Sequence, residues 1–251
     1  MTAPPLVAVA HGSRDPRSAA TVAALVAEVR RQRPDLDIRL SFLDLSAPRL
    51  ADVLCAVHAE GHRRAVVVPL LLGHAFHARV DVPGAVGHAM ARHPGLHVDI
   101  ADVLGGDARL ADAALRRLAA VAGPLMDPDL GVVLAGVGSS HGPANAALAD
   151  VAAAWAHRHP WRGTSPAFAT VAAPTVPAAV AALRAGGARR VAVAQWILAP
   201  GLLPDRIVRE ARAAGAAVSA PLGADAGVAS LVVDRYTAAA DAAPAARALA
   251  S

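Results

Sequence analysis

The amino-acid sequence predicts an α/β protein of two similar domains, each a mostly four-stranded parallel sheet with helices on both faces. Three observations carry this expectation. Short apolar runs alternate with stretches of helical periodicity, the βαβα rhythm that parallel sheets produce. The segment from Val7 to about Ile207 reads as one unit written twice at a constant offset of 126, with Gly12/Gly138, Ser13/Ser139, Pro34/Pro160, Phe42/Phe168, Pro48/Pro174, Gly61/Gly187 and Leu72/Leu198 all in that register. Finally, 251 residues with 55% hydrophobic and 18% charged side chains suffice for two cores of ordinary size.

The first copy opens with a strand near Leu6–Ala10. A helix near Arg17–Arg33 follows, because Val22, Leu25, Val26 and Val29 have the i, i+3, i+4, i+7 spacing of a buried stripe. Ser13 or Asp15 can cap it, and Pro16 suits its first turn. Next come a strand near Ile38–Leu43 and a helix near Pro48–Glu60, on whose apolar face Cys55 is expected to pack. Strands near Ala65–Leu72 and Val98–Val103 alternate with helices near Val82–Arg92 and Ala108–Val121. Residues 123–129 hold turn formers without periodicity, which sets the expected domains at 1–123 and 130–238. The second copy repeats the strands near Val132–Gly136, Ala167–Val171, Val191–Leu198 and Ala217–Pro221. Past Ile207 the offset falls to 118, since Leu104-Gly105-Gly106-Asp107 matches Leu222-Gly223-Ala224-Asp225. Residues 239–251 form an Ala-rich tail.

Composition excludes several classes of function. One cysteine rules out an internal disulfide and any cysteine-based metal cage. The net charge of +4 comes from arginines spread along the chain and interleaved with acids, and aromatics are few, so a nucleic-acid partner is not expected. No apolar run reaches membrane-helix length and the start lacks the order of a signal peptide, so the expected setting is the cytoplasm, without membrane partners. A monomer and a homodimer are equally compatible with the sequence.

In a parallel sheet, ligands bind outside the carboxyl ends of the strands. His11 follows the first strand, Asp44 ends the second and His77 lies in the loop leaving the third, so topology delivers three polar residues to one edge. The second copy has Val137, Thr170 and Leu203 at these positions. Packing alone would keep the character of equivalent positions alike, so the asymmetry marks either an acid/base set or a metal-ligand set. The helix start beside His11 carries positive potential, which favours the neutral imidazole that a ligand or a general base must be. Arg14 and Arg79 follow the same asymmetry, becoming Ser140 and Asp205. His74, three residues before His77, is open between a rim group and an auxiliary ligand. The remaining eight histidines are expected on the solvated surface.

Gly-Val-Gly-Ser-Ser at 136–140 lacks the Lys-Ser/Thr of a P-loop, the spacing of a dinucleotide fingerprint and the form of a nucleophile elbow. A phosphate-ester enzyme built on the Gly12-Ser13 and Gly138-Ser139 turns gains no support from one-sided histidines.

Three stretches, Ala10-His11-Gly12-Ser13-Arg14, Ser41-Phe42-Leu43-Asp44-Leu45 with Pro48, and Val67-Val68-Pro69-Leu70-Leu71-Leu72 running to His77 and Asp81-Val82-Pro83, resemble the class II tetrapyrrole chelatases. That family includes sirohydrochlorin ferrochelatase and sirohydrochlorin cobaltochelatase, and its long members share the two-copy layout. The resemblance implies that His11 and His77 handle the metal in a cleft between the domains, with Asp44 standing where the family often carries glutamate. It implies Fe²⁺ or Co²⁺ as metal substrate, insertion without ATP and no permanently bound cofactor. It also implies sirohydrochlorin as partner, its carboxylates met by Ser13, Arg14 and Arg79. Trp196, Leu202 and Leu203 are the apolar candidates in the second domain. The expected activity is iron insertion, with cobalt insertion as the alternative and a non-catalytic tetrapyrrole or metal carrier as the alternative of another class.

Overall fold

The computed structural model describes residues 3–73 and 80–248, with side chains as far as residue 242. Among them the chain alternates strand and helix throughout: β1 Leu6–Ala10, α1 Pro16–Gln32, β2 Ile38–Phe42, α2 Leu50–Ala59, β3 Arg64–Pro69, α3 Val82–Arg92, β4 His97–Ile100 and α4 Ala108–Ala122, then β5 Leu130–Gly136, α5 Gly142–Arg158, β6 Gly163–Phe168, α6 Val176–Ala185, β7 Arg190–Gln195, α7 Leu202–Ala213, β8 Ala217–Val218 and α8 Ala226–Ala248. The strands form two parallel sheets of equivalent order, β2-β1-β3-β4 and β6-β5-β7-β8. No helix of the described residues is long and apolar enough to cross a membrane.

In the first sheet, side chains alternate between faces with period two. Val7, Val9, Ala65 and Val67 meet Leu50, Val53, Leu54 and Val57 of α2 and Val82, Val86 and Ala89 of α3. Helix α1 buries the expected stripe Val22, Leu25, Val26 and Val29. Asp15 is its N-cap, accepting from Arg17 N–H at 2.9 Å, and Pro16 sits in the first turn. The second sheet repeats the scheme: Val133, Ala135, Ala167, Val191 and Val193 pack on Val176, Ala179 and Val180 of α6 and on Ile207 and Ala211 of α7.

The repeat is also visible in the backbone. Gly12 and Gly138 have φ of 95° and 89°, Gly61 and Gly187 have 91° and 93°, and cis peptides precede both Pro48 and Pro174. Each pair stands in the register read from the sequence.

The last helix of each copy departs from the contiguous segments 1–123 and 130–238. One compact unit comprises Met1–Asp107 with Ala224–Ser251, and the other comprises Ala108–Gly223. Helix α8, which closes the second copy, packs on α1, β3 and β4 of the first sheet. Arg235 Nε donates to Val103 O at 2.8 Å, Arg64 Nη2 to Ala240 O at 2.6 Å and Tyr236 Oη to Pro4 O at 2.7 Å. Helix α4, which closes the first copy, packs on β7 and β8, with Arg117 Nε donating to Leu222 O at 3.1 Å. Duplicated elements bury equivalent surfaces, so exchange between copies leaves the apolar pattern satisfied. A sequence register identifies equivalent residues and is silent on which copy a helix covers. Helix α8 also continues through the residues expected to form a tail, as far as Ala248.

Two side chains correct expectations. Cys55 is exposed, because the buried stripe of α2 is Leu50, Val53, Leu54 and Val57, and position 55 falls off it. His159 is not a solvated surface group: its ring stacks on Trp161 with centroids 4.2 Å apart and a 6° interplanar angle, and its Nδ1 is buried. Burial, with the Arg158 charge adding to it, holds the imidazole below its ordinary pKa. The folded state therefore prefers neutral His159, while the unfolded chain takes up a proton near pH 6.5. This contribution to stability is present above that pH and is lost as pH falls below it. The expected outcome is a larger drop in melting temperature between pH 7.5 and pH 5 for the wild type than for His159→Gln, read by thermal denaturation.

Candidate active site at the carboxyl edge of the first sheet

Strand β1 ends at Ala10 and β2 at Phe42, and the parallel register of the two strands brings the residues that follow them together. Leu43 N–H donates to Ala10 O at 2.9 Å and Asp44 N–H to His11 O at 2.9 Å, so the ladder runs on past the strands. His11 and Asp44 thus share one edge, as the topology required. His11 is half-buried, with its Nδ1 out of reach of solvent, and Asp44 is exposed.

Two contacts lock the two loops together, and a tight turn shapes one of them. Gly12 lies against the loop after β2, and a Cβ placed there would run into the carbonyl oxygen of Asp44. Ser46 N–H donates to Asp44 O at 2.7 Å, closing a three-residue turn around Leu45 at φ 60°. Ser46 Oγ then clasps the turn after His11, accepting from Ser13 N–H at 3.1 Å and donating to Ser13 O at 3.0 Å.

The second sheet shows which of these features are scaffold. Gly138 meets Thr170 O as Gly12 meets Asp44 O, and Val171 repeats the turn at φ 44°. There, however, Thr170 Oγ1 donates back to Val137 O at 2.9 Å, and Asn145 of α5 takes over the clasp, accepting from Ser139 N–H at 2.9 Å and donating to Ser139 O at 2.7 Å. In the first copy the clasp comes from the loop that carries Asp44, so it joins the His11 and Asp44 loops directly. Ser46 was not singled out from the sequence, although its replacement by Ala172 was visible in the register. Val171 is a β-branched residue at positive φ and is 77% exposed, so little packing offsets its strain. Val171→Gly is expected to raise stability by roughly 1 kcal/mol, measured by denaturant unfolding.

The Asp44 carboxyl is held below its ordinary pKa, first by a hydrogen bond from Leu45 N–H, then by Arg49, with the His11 charge a smaller influence. Arg49 Nη1 donates to Asp44 Oδ1 at 2.6 Å and to Leu43 O at 3.1 Å. Arg14 is exposed on the turn after His11, and half-buried Ser13 donates nothing to Asp15 but accepts its N–H at 3.1 Å. His74, His77 and Arg79 lie outside the described residues. In the second unit Trp196 is partly buried just after β7, while Leu202 and Leu203 are 81% and 37% exposed at the start of α7.

Among the described residues one group of three has ligand spacing, Asp37, Glu60 and His62, and it lies away from His11 and Asp44, just ahead of β2 and β3 at the amino edge of the sheet. Arg39 bridges Asp37 and Glu60 there, so the acids already have their counter-charge.

A duplicated parallel α/β protein with histidine and carboxylate on the carboxyl edge of one copy is the class that fold and site define. The chain belongs to the CbiX family, whose model matches residues 5–121 and again residues 131–239. Among curated relatives, sirohydrochlorin ferrochelatase of Priestia megaterium is 26% identical over 205 residues, covering 80% of this chain and 76% of the relative. Sirohydrochlorin cobaltochelatase of the same organism is 24% identical over 202 residues, covering 79% and 65%. SirB from Bacillus subtilis with Fe³⁺ shares the fold, with a TM-score of 0.81 at 23% identity over 95% of this chain and 96% of that one.

Proposed function

We propose that this chain is a sirohydrochlorin chelatase that inserts Fe²⁺ into sirohydrochlorin to give sirohaem without ATP. The observation that carries the proposal is the retention of His11 and Asp44 on one copy of a twice-matched CbiX chain. Relatives named sirohydrochlorin ferrochelatase match across most of their length and support iron as the metal.

Insertion requires stripping water from the ion and removing two pyrrole protons. Imidazole binds a borderline ion such as Fe²⁺ or Co²⁺ and yields it to a better four-nitrogen ligand. In this proposal His11 and His77 receive the ion and accept pyrrole protons, and Asp44 assists as a ligand or proton acceptor. Ser13, Arg14 and Arg79 meet the carboxylates of the substrate, since guanidinium binds carboxylate through paired hydrogen bonds.

Cobalt insertion is the second reading, favoured by the cobaltochelatase relative. Anaerobic incubation with sirohydrochlorin and either ion, followed by absorbance, distinguishes the two: the expected result is metallation with both ions and faster turnover with Fe²⁺. Faster turnover with Co²⁺ transfers the assignment to cobalt. Binding of sirohydrochlorin without insertion of either ion overturns the enzyme and leaves a carrier.

A further inference from the structure

Arg49 stands at the N-cap of α2, and Thr175 stands at the equivalent position of α6. The two backbones match closely, with φ −74° and ψ 149° at Arg49 against φ −74° and ψ 162° at Thr175. Phe42 N–H donates to Pro48 O, and Phe168 N–H to Pro174 O, each at 2.9 Å. Thr175 does what its position asks, accepting a hydrogen bond from Ala178 N–H with its side chain. Arg49 makes no such cap. A guanidinium at the positive end of a helix is electrostatically disfavoured as well.

Its Nη1 turns back to Leu43 O and to Asp44 Oδ1. The Arg49 and Asp44 side chains are 49% and 57% exposed, and ion pairs so open to solvent contribute little to stability. On stability grounds alone, position 49 is better filled by a capping residue such as the one its sister copy uses. What the arginine adds is orientation. Anchored on a backbone carbonyl, it fixes a carboxylate that shares the sheet edge with His11.

We propose that Arg49 is a positioning residue for metal insertion, holding the Asp44 carboxylate in a fixed orientation at the carboxyl edge of the first sheet. A carboxylate has about four lone-pair directions, so the bonds from Leu45 N–H and Arg49 leave capacity for an ion or a proton. The inference rests on the chelatase reading and deepens it, because it assigns a role to Arg49 of the first unit at a cap position where the second unit carries Thr175.

The test is steady-state Fe²⁺ insertion by the full chain as wild type, R49T, R49K, D44A and D44A/R49T, with thermal melting of each. R49T should lower kcat about 10- to 100-fold, the usual effect of removing a partner that orients a metal-handling group. Its KM for sirohydrochlorin should stay within about twofold, and its melting temperature should hold or rise by a few degrees as the cap is restored. R49K, which keeps the positive charge but replaces the guanidinium fork with a single ammonium, should recover part of kcat. In the D44A background, R49T should add less than about a twofold loss, because the two act as one unit. Insertion by R49T at the wild-type rate overturns this inference alone. So does a loss confined to KM, which makes Arg49 a substrate contact, or a loss that tracks a fall in melting temperature. Absence of insertion by the wild type overturns the chelatase reading and this inference with it.

Discussion

Gly12→Ala is expected to destabilise the first unit by about 3 kcal/mol or more and to abolish metal insertion. The reason is backbone against backbone. Gly12 has φ 95°, and the space its Cβ needs is held by the Asp44 carbonyl, with Ser46 N 3.4 Å away. No flexible side chain can swing aside. Relief requires the two loops to part, which breaks the bonds from Leu43 N–H to Ala10 O and from Asp44 N–H to His11 O, together with the Ser46 clasp. Gly138→Ala meets Thr170 O in the same way and should lower stability comparably. Urea unfolding checks the first effect, and the insertion assay on the protein that remains folded checks the second. A Gly12→Ala protein with native stability would show that the loops are not locked as described.

His11→Ala is expected to lower insertion by about 10²- to 10⁴-fold, the range for losing a general base or an equivalent proton acceptor. The fold should survive, because His11 lies past the end of β1 and the strand core from Leu6 to Val9 is packed without it. The bonds that hold its loop use backbone atoms and the Ser46 hydroxyl, which the substitution leaves in place. Affinity for sirohydrochlorin should change far less than turnover. Insertion rate, binding by fluorescence quenching and thermal melting measured on one preparation separate these effects.

Much of the fold was legible because the two copies constrain each other. Apolar periodicity located the strands and helices, and the register of Gly12/Gly138 and Pro48/Pro174 reappears as shared backbone conformation. The proposed site was suggested by the same comparison, since His11 and Asp44 stand where the sister copy has Val137 and Thr170. Arg49 and Ser46 were missed, although their counterparts Thr175 and Ala172 differ just as sharply. Both sit in a loop of small and polar residues, where only three-dimensional contacts tell a clasp or an ion pair from a solvated side chain. The exchange of α4 and α8 was illegible for a deeper reason. An amphipathic stripe records that a helix is buried and carries no record of which of two similar sheets buries it. Cys55 shows the limit of periodicity at a single position, one residue beyond Leu54 and already on the solvent side of α2.

The proposed chemistry is carried by one copy. Its most direct test gives the first copy the residues of the second, as the double variant His11→Val and Asp44→Thr, and measures anaerobic Fe²⁺ insertion into sirohydrochlorin. The expected result is a folded protein that still binds the tetrapyrrole and no longer metallates it. Insertion retained within about threefold of the wild type, well short of the loss expected of an essential proton acceptor, would contradict it.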